Sequence, residues 1–149
     1  MTAVRWMRLG VVVTTLLICG DAHPQPSDAD AIAVVVGRDS FIAGMDRDTL
    51  RELFLRRQRL WPNGTAAVPV NLPADHALRD RFSRLVLGRS VRDLVAYWNA
   101  RYFEGVRPPI VLPSGSAVCA YVRVEPGAIG YLPMAEVDDG CRVLLRLQQ

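Results

Sequence analysis

The chain has 149 residues, a formal charge of +3 and charged side chains at 22% of positions, which leaves room for one globular domain and too little positive charge for a nucleic-acid partner. All 18 cationic side chains are arginine, and setting aside residues 1–22 with Arg5, Arg8 and Asp21 lowers the net charge to +2. Half of the residues are hydrophobic, enough for a core, but the length excludes a second domain.

Arg5 and Arg8, the apolar run "LGVVVTTLLICG" and the small residues Gly20 and Ala22 read as a secretory signal over residues 1–22. The apolar run is short for a membrane span, and Ile18 and Leu17 ahead of Cys19 argue against a lipoprotein. Residues 23–30, "HPQPSDAD", form a polar, proline-bearing leader, and residues 31–149 form the domain. "AIAVVVG" is a continuous β-branched run ending at Gly37, the pattern of a strand covered on both faces. Asp46 caps a helix with Leu50, Leu53 and Phe54 inward and Met45 stapled to Leu50. Arg56, Arg57 and Arg59 suit the negative end of that helix. A turn at Pro62, Asn63 and Gly64 leads into a short strand.

Asp75 opens the next helix, with Leu78, Phe82, Leu85 and Val86 on one face and Gly88 at its end. Ser90 and Asp93 match a capping box, after which Val91, Leu94, Val95, Trp98 and Tyr102 make a core-facing stripe. Ser114 or Ser116 opens a fourth helix that Pro126 stops, Gly127 supplying a positive φ for the reversal. Gly130 in "AIGYL" has no side chain to pack, so another backbone or a ligand comes close there. In the last strand, Cys141, Val143, Leu145 and Leu147 alternate onto one face. Helices interleaved with strands make a three-layer α/β domain, a small mixed sheet flanked by helices.

Catalytic chemistry finds few carriers. His76 is the base candidate of the folded part and reads as a neighbour of a helix cap; "PSGSA" lacks the glycine a nucleophile elbow needs before its serine. Two distant cysteines do not make a zinc site, Asp138 and Asp139 before Gly140 make a turn better than a calcium loop, and phosphate-loop and dinucleotide fingerprints are absent. The expectation is a non-enzyme without a cofactor. In an oxidising compartment Cys119 and Cys141 would pair, for about 3 kcal/mol of stability, the alternative being two small buried apolar side chains. Anion binding is better supplied: helix starts at Ser114 to Ser116 and at Asp75 to His76 can offer free amides, and the first carries no acid.

In order, "AVVVG" with "SF", "TLRELFLRR", "LWPNGTAAVPVN", "LRDRFSRLVLG", "LVAYWNARYFEG", "SGSAVCAYV" and "PGAIGYLP" resemble the phosphate-type periplasmic solute-binding proteins of ABC importers. The match runs over residues 31–133 and rests on the ordered set Leu53-Phe54, Trp61 with Gly64, Phe82, Tyr97-Trp98, Phe103 with Gly105, and Pro126 to Tyr131. The resemblance implies one lobe of a type 2 periplasmic binding protein. It also implies a periplasmic location, an oxyanion ligand such as phosphate, and a membrane transporter or sensor as partner.

Two departures narrow that implication. In the family, an arginine and then a Ser-Gly-Thr stretch precede the phenylalanine matched by Phe82 and hold phosphate; here Leu72 and then His76, Ala77 and Leu78 stand in those places. The chain also matches one lobe where the family closes two around a dehydrated ligand, and a single open lobe leaves charge pairing screened by water. The ligand-facing residues expected are Ser40, Arg79, Ser114 and Ser116. The competing expectation is a periplasmic interaction module that has kept the fold and lost the ligand.

Overall fold

The computed structural model describes residues 31–148; the expected signal segment and leader lie outside the described residues. Five strands, β1 (Ile32–Gly37), β2 (Val68–Asn71), β3 (Ile110–Val111), β4 (Ala128–Pro133) and β5 (Cys141–Leu147), form one sheet in the order β3-β2-β4-β1-β5. β2 runs parallel to β3 and β4, and β1 runs antiparallel to β4 and β5. Four helices flank the sheet: α1 (Arg47–Phe54), α2 (Ala77–Phe82), which continues as a π turn over Ser83–Leu87, α3 (Val91–Phe103) and α4 (Gly115–Val124). This is the three-layer α/β domain the sequence leads one to expect. All six residues of β1 are buried, as a strand with neighbours on both edges and helices on both faces requires.

The two faces differ in what they admit. Toward α4 the sheet presents glycines: a Cβ on Gly130 would meet the Val118 methyl, and one on Gly37 would meet the Val122 carbonyl. The close approach signalled by Gly130 is therefore the packing of α4, not a ligand. Gly127 is corrected too. It is not among the glycines with positive φ, which are Gly64, Gly88 and Gly105; its side chain is missing because the Ala66 carbonyl occupies that space. Its own carbonyl accepts from Val68 N and from Trp61 Nε1, both at 3.0 Å.

The alternation along β5 does not place all four apolar residues on one face. Val35 pairs with Val143 while Val34 pairs with Leu145, so Leu144 is the extra residue of a β-bulge and the strand turns over there. Cys141 and Val143 face α4, and Leu145 and Leu147 join Ile32 and Val34 toward α1 and α2.

The helix caps follow the sequence with one shift. Asp46 accepts from Thr49 N at 2.7 Å, Ser90 and Asp93 form the capping box of α3, and Ser114 caps α4 through Ala117 N at 3.2 Å. α2 is capped by His76, not Asp75, through Nδ1 accepting from Leu78 N at 3.1 Å, because an imidazole acceptor at that position reaches the amide two residues on. After α1, Arg56 donates to the Ala67 carbonyl at 2.8 Å and Arg57 pairs with Glu52 at 3.1 Å. The α3 stripe is core only at Leu94. Val95, Tyr102 and Phe103 are 57%, 67% and 90% exposed, since α3 meets the domain along one side, with the Tyr97 hydroxyl donating to the Leu55 carbonyl at 2.7 Å.

Tyr131 stands on the α1/α2 face of β4, its ring stacked on Phe82 at 3.8 Å and 2° and tilted against Phe54 at 5.8 Å. Its hydroxyl donates to Asn71 Oδ1 at 3.1 Å, and burial pushes the phenol up from 10.0 to about 12, the nearby Arg79 cation working against that shift. Cys119 and Cys141 form a disulfide with Cα atoms 5.5 Å apart, tying α4 to the start of β5.

Two predictions follow from these core contacts. Replacing both cysteines by serine should lower the urea-unfolding free energy by about 3 kcal/mol; an unchanged midpoint would mean the bridge contributes nothing. For Tyr131, the unfolded phenol ionises first, so the folded state keeps its full advantage below about pH 10 and loses about 2 to 3 kcal/mol as the pH rises through about 12. Alkaline unfolding of Tyr131→Phe should lack that loss, and equal slopes for the two proteins would count against a buried phenol.

Candidate functional site

β2, β3 and β4 end together at one edge of the sheet, and β2 leads through Leu72 to α2. Arg79 lies one turn before Phe82 and shares its inward face, so the Phe82–Tyr131 stack sets the guanidinium beside the Tyr131 hydroxyl at the carboxyl end of the strands. Arg79 is 8% exposed, donates from Nη1 to the Leu72 carbonyl at 2.8 Å, and has no partner for Nε. Its pKa is lowered by burial, an effect that Tyr131 partly offsets. No carboxylate pairs with it among the described residues. A buried cation in that state is costly, because desolvation is not repaid by a counter-charge.

Arg79 lines a cavity of about 290 Å³ between α3 and the approach to β3. Leu94, Val95 and Trp98 of α3 form one wall, and Pro109 and Val111 the other. Trp98 brings a second unsatisfied donor, since its indole Nε1 is buried without a partner. Asn99 adds an amide at the rim. Nothing acidic lines this space, so its electrostatic character is set by one arginine in apolar walls.

The other expected residues do not gather around Arg79. Ser114 and Ser116 belong to α4, on the opposite face of the sheet, and they serve the helix itself: their hydroxyls bond each other at 2.9 Å, and Ser114 Oγ also caps Ala117 N. The Glu136 carboxylate lies against Gly115 at that helix start, putting a negative charge where an oxyanion would come. Ser40 is farther away. It follows β1, whose far end pairs with the carboxyl end of β4, so about 16 to 20 Å of strand separates it from Arg79's end. There Ser40 Oγ accepts from Ile42 N at 3.3 Å, and its carbonyl accepts from Arg142 at 3.1 Å. The structure does not bring the four residues together: antiparallel β1 carries the Ser40 loop to the other end of the sheet, and Ser114 and Ser116 stand on the opposite face from Arg79.

A larger cavity of about 540 Å³ lies at the Ser40 end, between Phe41, Met45, Asp46 and Trp61. It contains no arginine, and the Asp46 carboxyl is held below its ordinary range by the Thr49 amide. It does not suit an anion. Cys119, Asp138 and Cys141 come close enough among the described residues to suggest a metal, but the disulfide takes both sulfurs.

Sequence reasoning missed Trp98 and Glu136. The stripe that suggested Trp98 as core did contain a signal, since a tryptophan N–H needs a partner and its helical neighbours are apolar. Glu136 carried none, because its approach to Gly115 depends on how the turn after β4 returns past α4.

Neither a family model nor a curated protein matches the sequence. Solved structures do match in shape. A phosphate ABC transporter substrate-binding protein with bound phosphate from Clostridium perfringens superposes with a TM-score of 0.62 at 17% identity, over 77% of this chain and 44% of that one. An ABC-type phosphate transport receptor from Vibrio cholerae gives 0.62 at 19%, over 77% and 45%. PstS from Borrelia burgdorferi gives 0.52 at 14%, over 69% and 40%. The chain spans less than half the length of these proteins, and at such identities the likeness is one of fold: this is the α/β fold of a single lobe of the phosphate ABC transporter substrate-binding proteins.

Proposed function

We propose that the protein is an exported, non-catalytic binding module that holds an anion, phosphate or a related oxyanion, at Arg79. The observation that carries this reading is the buried guanidinium without a carboxylate, lining a cavity free of acidic groups. An arriving anion supplies the missing counter-charge, and a charge-assisted bond to a guanidinium is about twice as strong as a neutral one. The fold it shares with substrate-binding proteins favours binding over catalysis, and His76 is engaged as a helix cap. Export is supported by the disulfide, which persists outside reducing compartments. Among the described residues no helix is long and apolar enough to cross a membrane. The natural partner of such a module is a membrane transporter or sensor.

The exposed side of α3 favours a second reading, an accessory module that works by protein contact. Tyr102 and Phe103 present apolar surface there.

Calorimetric titration with phosphate, sulfate and methylphosphonate should give saturable heat with a Kd of about 1 mM, as expected for one guanidinium in an open site. The heat should weaken with added sodium chloride and vanish in Arg79→Met that still unfolds cooperatively. Heat that persists undiminished in that variant would remove Arg79 from the site. Silence of all three anions, with recovery of a membrane sensor or transporter in pull-down, would favour the contact reading.

A further inference from the structure

The larger cavity, at the Ser40 end of the sheet, is opposite in character to the one that Arg79 lines. Phe41, Met45, Trp61 and Pro62 give it apolar and aromatic walls, and Asp46 is the one charged side chain in its lining. The groups a ligand would meet are open to it: Asp46 is exposed, Phe41 is 44% exposed and Gln58 is partly buried. They also lie together. Phe41 and Trp61 meet edge to face with centroids 6.4 Å apart, and Asp46 directly follows Met45 in the same wall.

The polar groups favour a ligand that donates hydrogen bonds. Gln58 Nε2 is spent on the Leu60 carbonyl at 3.1 Å and Trp61 Nε1 on the Gly127 carbonyl at 3.0 Å, so Gln58 has its oxygen left to offer. Asp46 Oδ1 takes Thr49 N at 2.7 Å, which leaves the second carboxylate oxygen. Asn63 is the exception, with Oδ1 spent on Thr65 N at 3.0 Å and an amide nitrogen at the rim.

The charge points the same way. The Thr49 amide holds the Asp46 carboxyl below its ordinary range, so it stays ionised, and no cation pairs with it among the described residues. The start of α1 behind it carries roughly half a positive charge, too little to cancel a full carboxylate. One carboxylate is too few oxygens for a hard divalent ion, which takes about six. An organic cation needs fewer, because aromatic rings attract it through their faces.

We infer that this cavity is a second binding site, for a small organic ammonium compound with an apolar or aromatic body, its charge at Asp46 and its body against Phe41, Met45 and Pro62. Its volume of about 540 Å³ is that of pockets that enclose small ligands. The site is independent of Arg79, from which the length of the sheet separates it.

Phenethylamine is the probe, titrated into the chain as its host cell produces it and followed by calorimetry and by the Thr49 amide resonance in proton–nitrogen spectra. Binding should be millimolar, move that resonance and weaken with sodium chloride. The neutral 2-phenylethanol should bind about threefold to fivefold more weakly, and 3-phenylpropionate more weakly still. Asp46→Asn keeps a helix-capping oxygen, so it should retain the unfolding midpoint while losing the same factor for the amine. Phe41→Leu should lose about twofold to fivefold. Arg79→Met that still unfolds cooperatively should bind the amine as the wild type does. An amine that binds no better than the alcohol, or equally well to Asp46→Asn and Phe41→Leu, would overturn the inference. So would silence of the amine, or its loss in Arg79→Met; phosphate binding at Arg79 would stand or fall separately.

Discussion

The stack of Tyr131 on Phe82 is the contact on which the rest of the molecule turns. Two rings 3.8 Å apart and nearly parallel join the central strand to the second helix, and the Tyr131 hydroxyl can stay in the core because Asn71 Oδ1 at the end of β2 accepts its hydrogen bond. With that stack in place, α2 has one orientation, and Arg79, a turn earlier on the same face, is carried over the end of the sheet. The position of the buried cation is therefore a by-product of aromatic packing. The cost of leaving it uncompensated is borne by the same core that puts it there.

On the other face of the sheet the constraint is the absence of side chains. Gly37 and Gly130 let α4 lie close against β1 and β4, and the disulfide from Cys119 to Cys141 clamps that helix to the edge strand. The β-bulge at Leu144 makes both ends of β5 useful: the first half meets α4 and supplies the cysteine, while the second half fills the opposite layer. A regular strand would have put Leu145 and Leu147 on the cysteine's side and left the α1/α2 layer short of apolar volume.

The chain spans less than half the length of its structural neighbours, and the cavity that Arg79 lines is built from this domain alone. Affinity in such a site has to come from groups that are dry before the ligand arrives. The α4 start is not of that kind, since its hydroxyls are spent on the cap and Glu136 lies beside it. The cavity under α3 is, its arginine being buried before any ligand arrives, and Tyr102 and Phe103 of the same helix remain exposed.

What the sequence by itself determined was local and periodic. The unbroken β-branched run of β1, the caps at Asp46, Ser90 and Ser114, and the stop at Pro126 all follow from bonds within a few residues, and the ordered motifs from Leu53 to Tyr131 were enough to name the lobe. Only the tertiary structure decided which elements meet. That Gly130 yields to Val118 and Gly127 to a carbonyl, that β5 turns over at Leu144, and that antiparallel β1 sends Ser40 away from Arg79 are facts of pairing and layer order. They depend on residues far apart in the chain, for which hydrophobic period and cap chemistry carry no record.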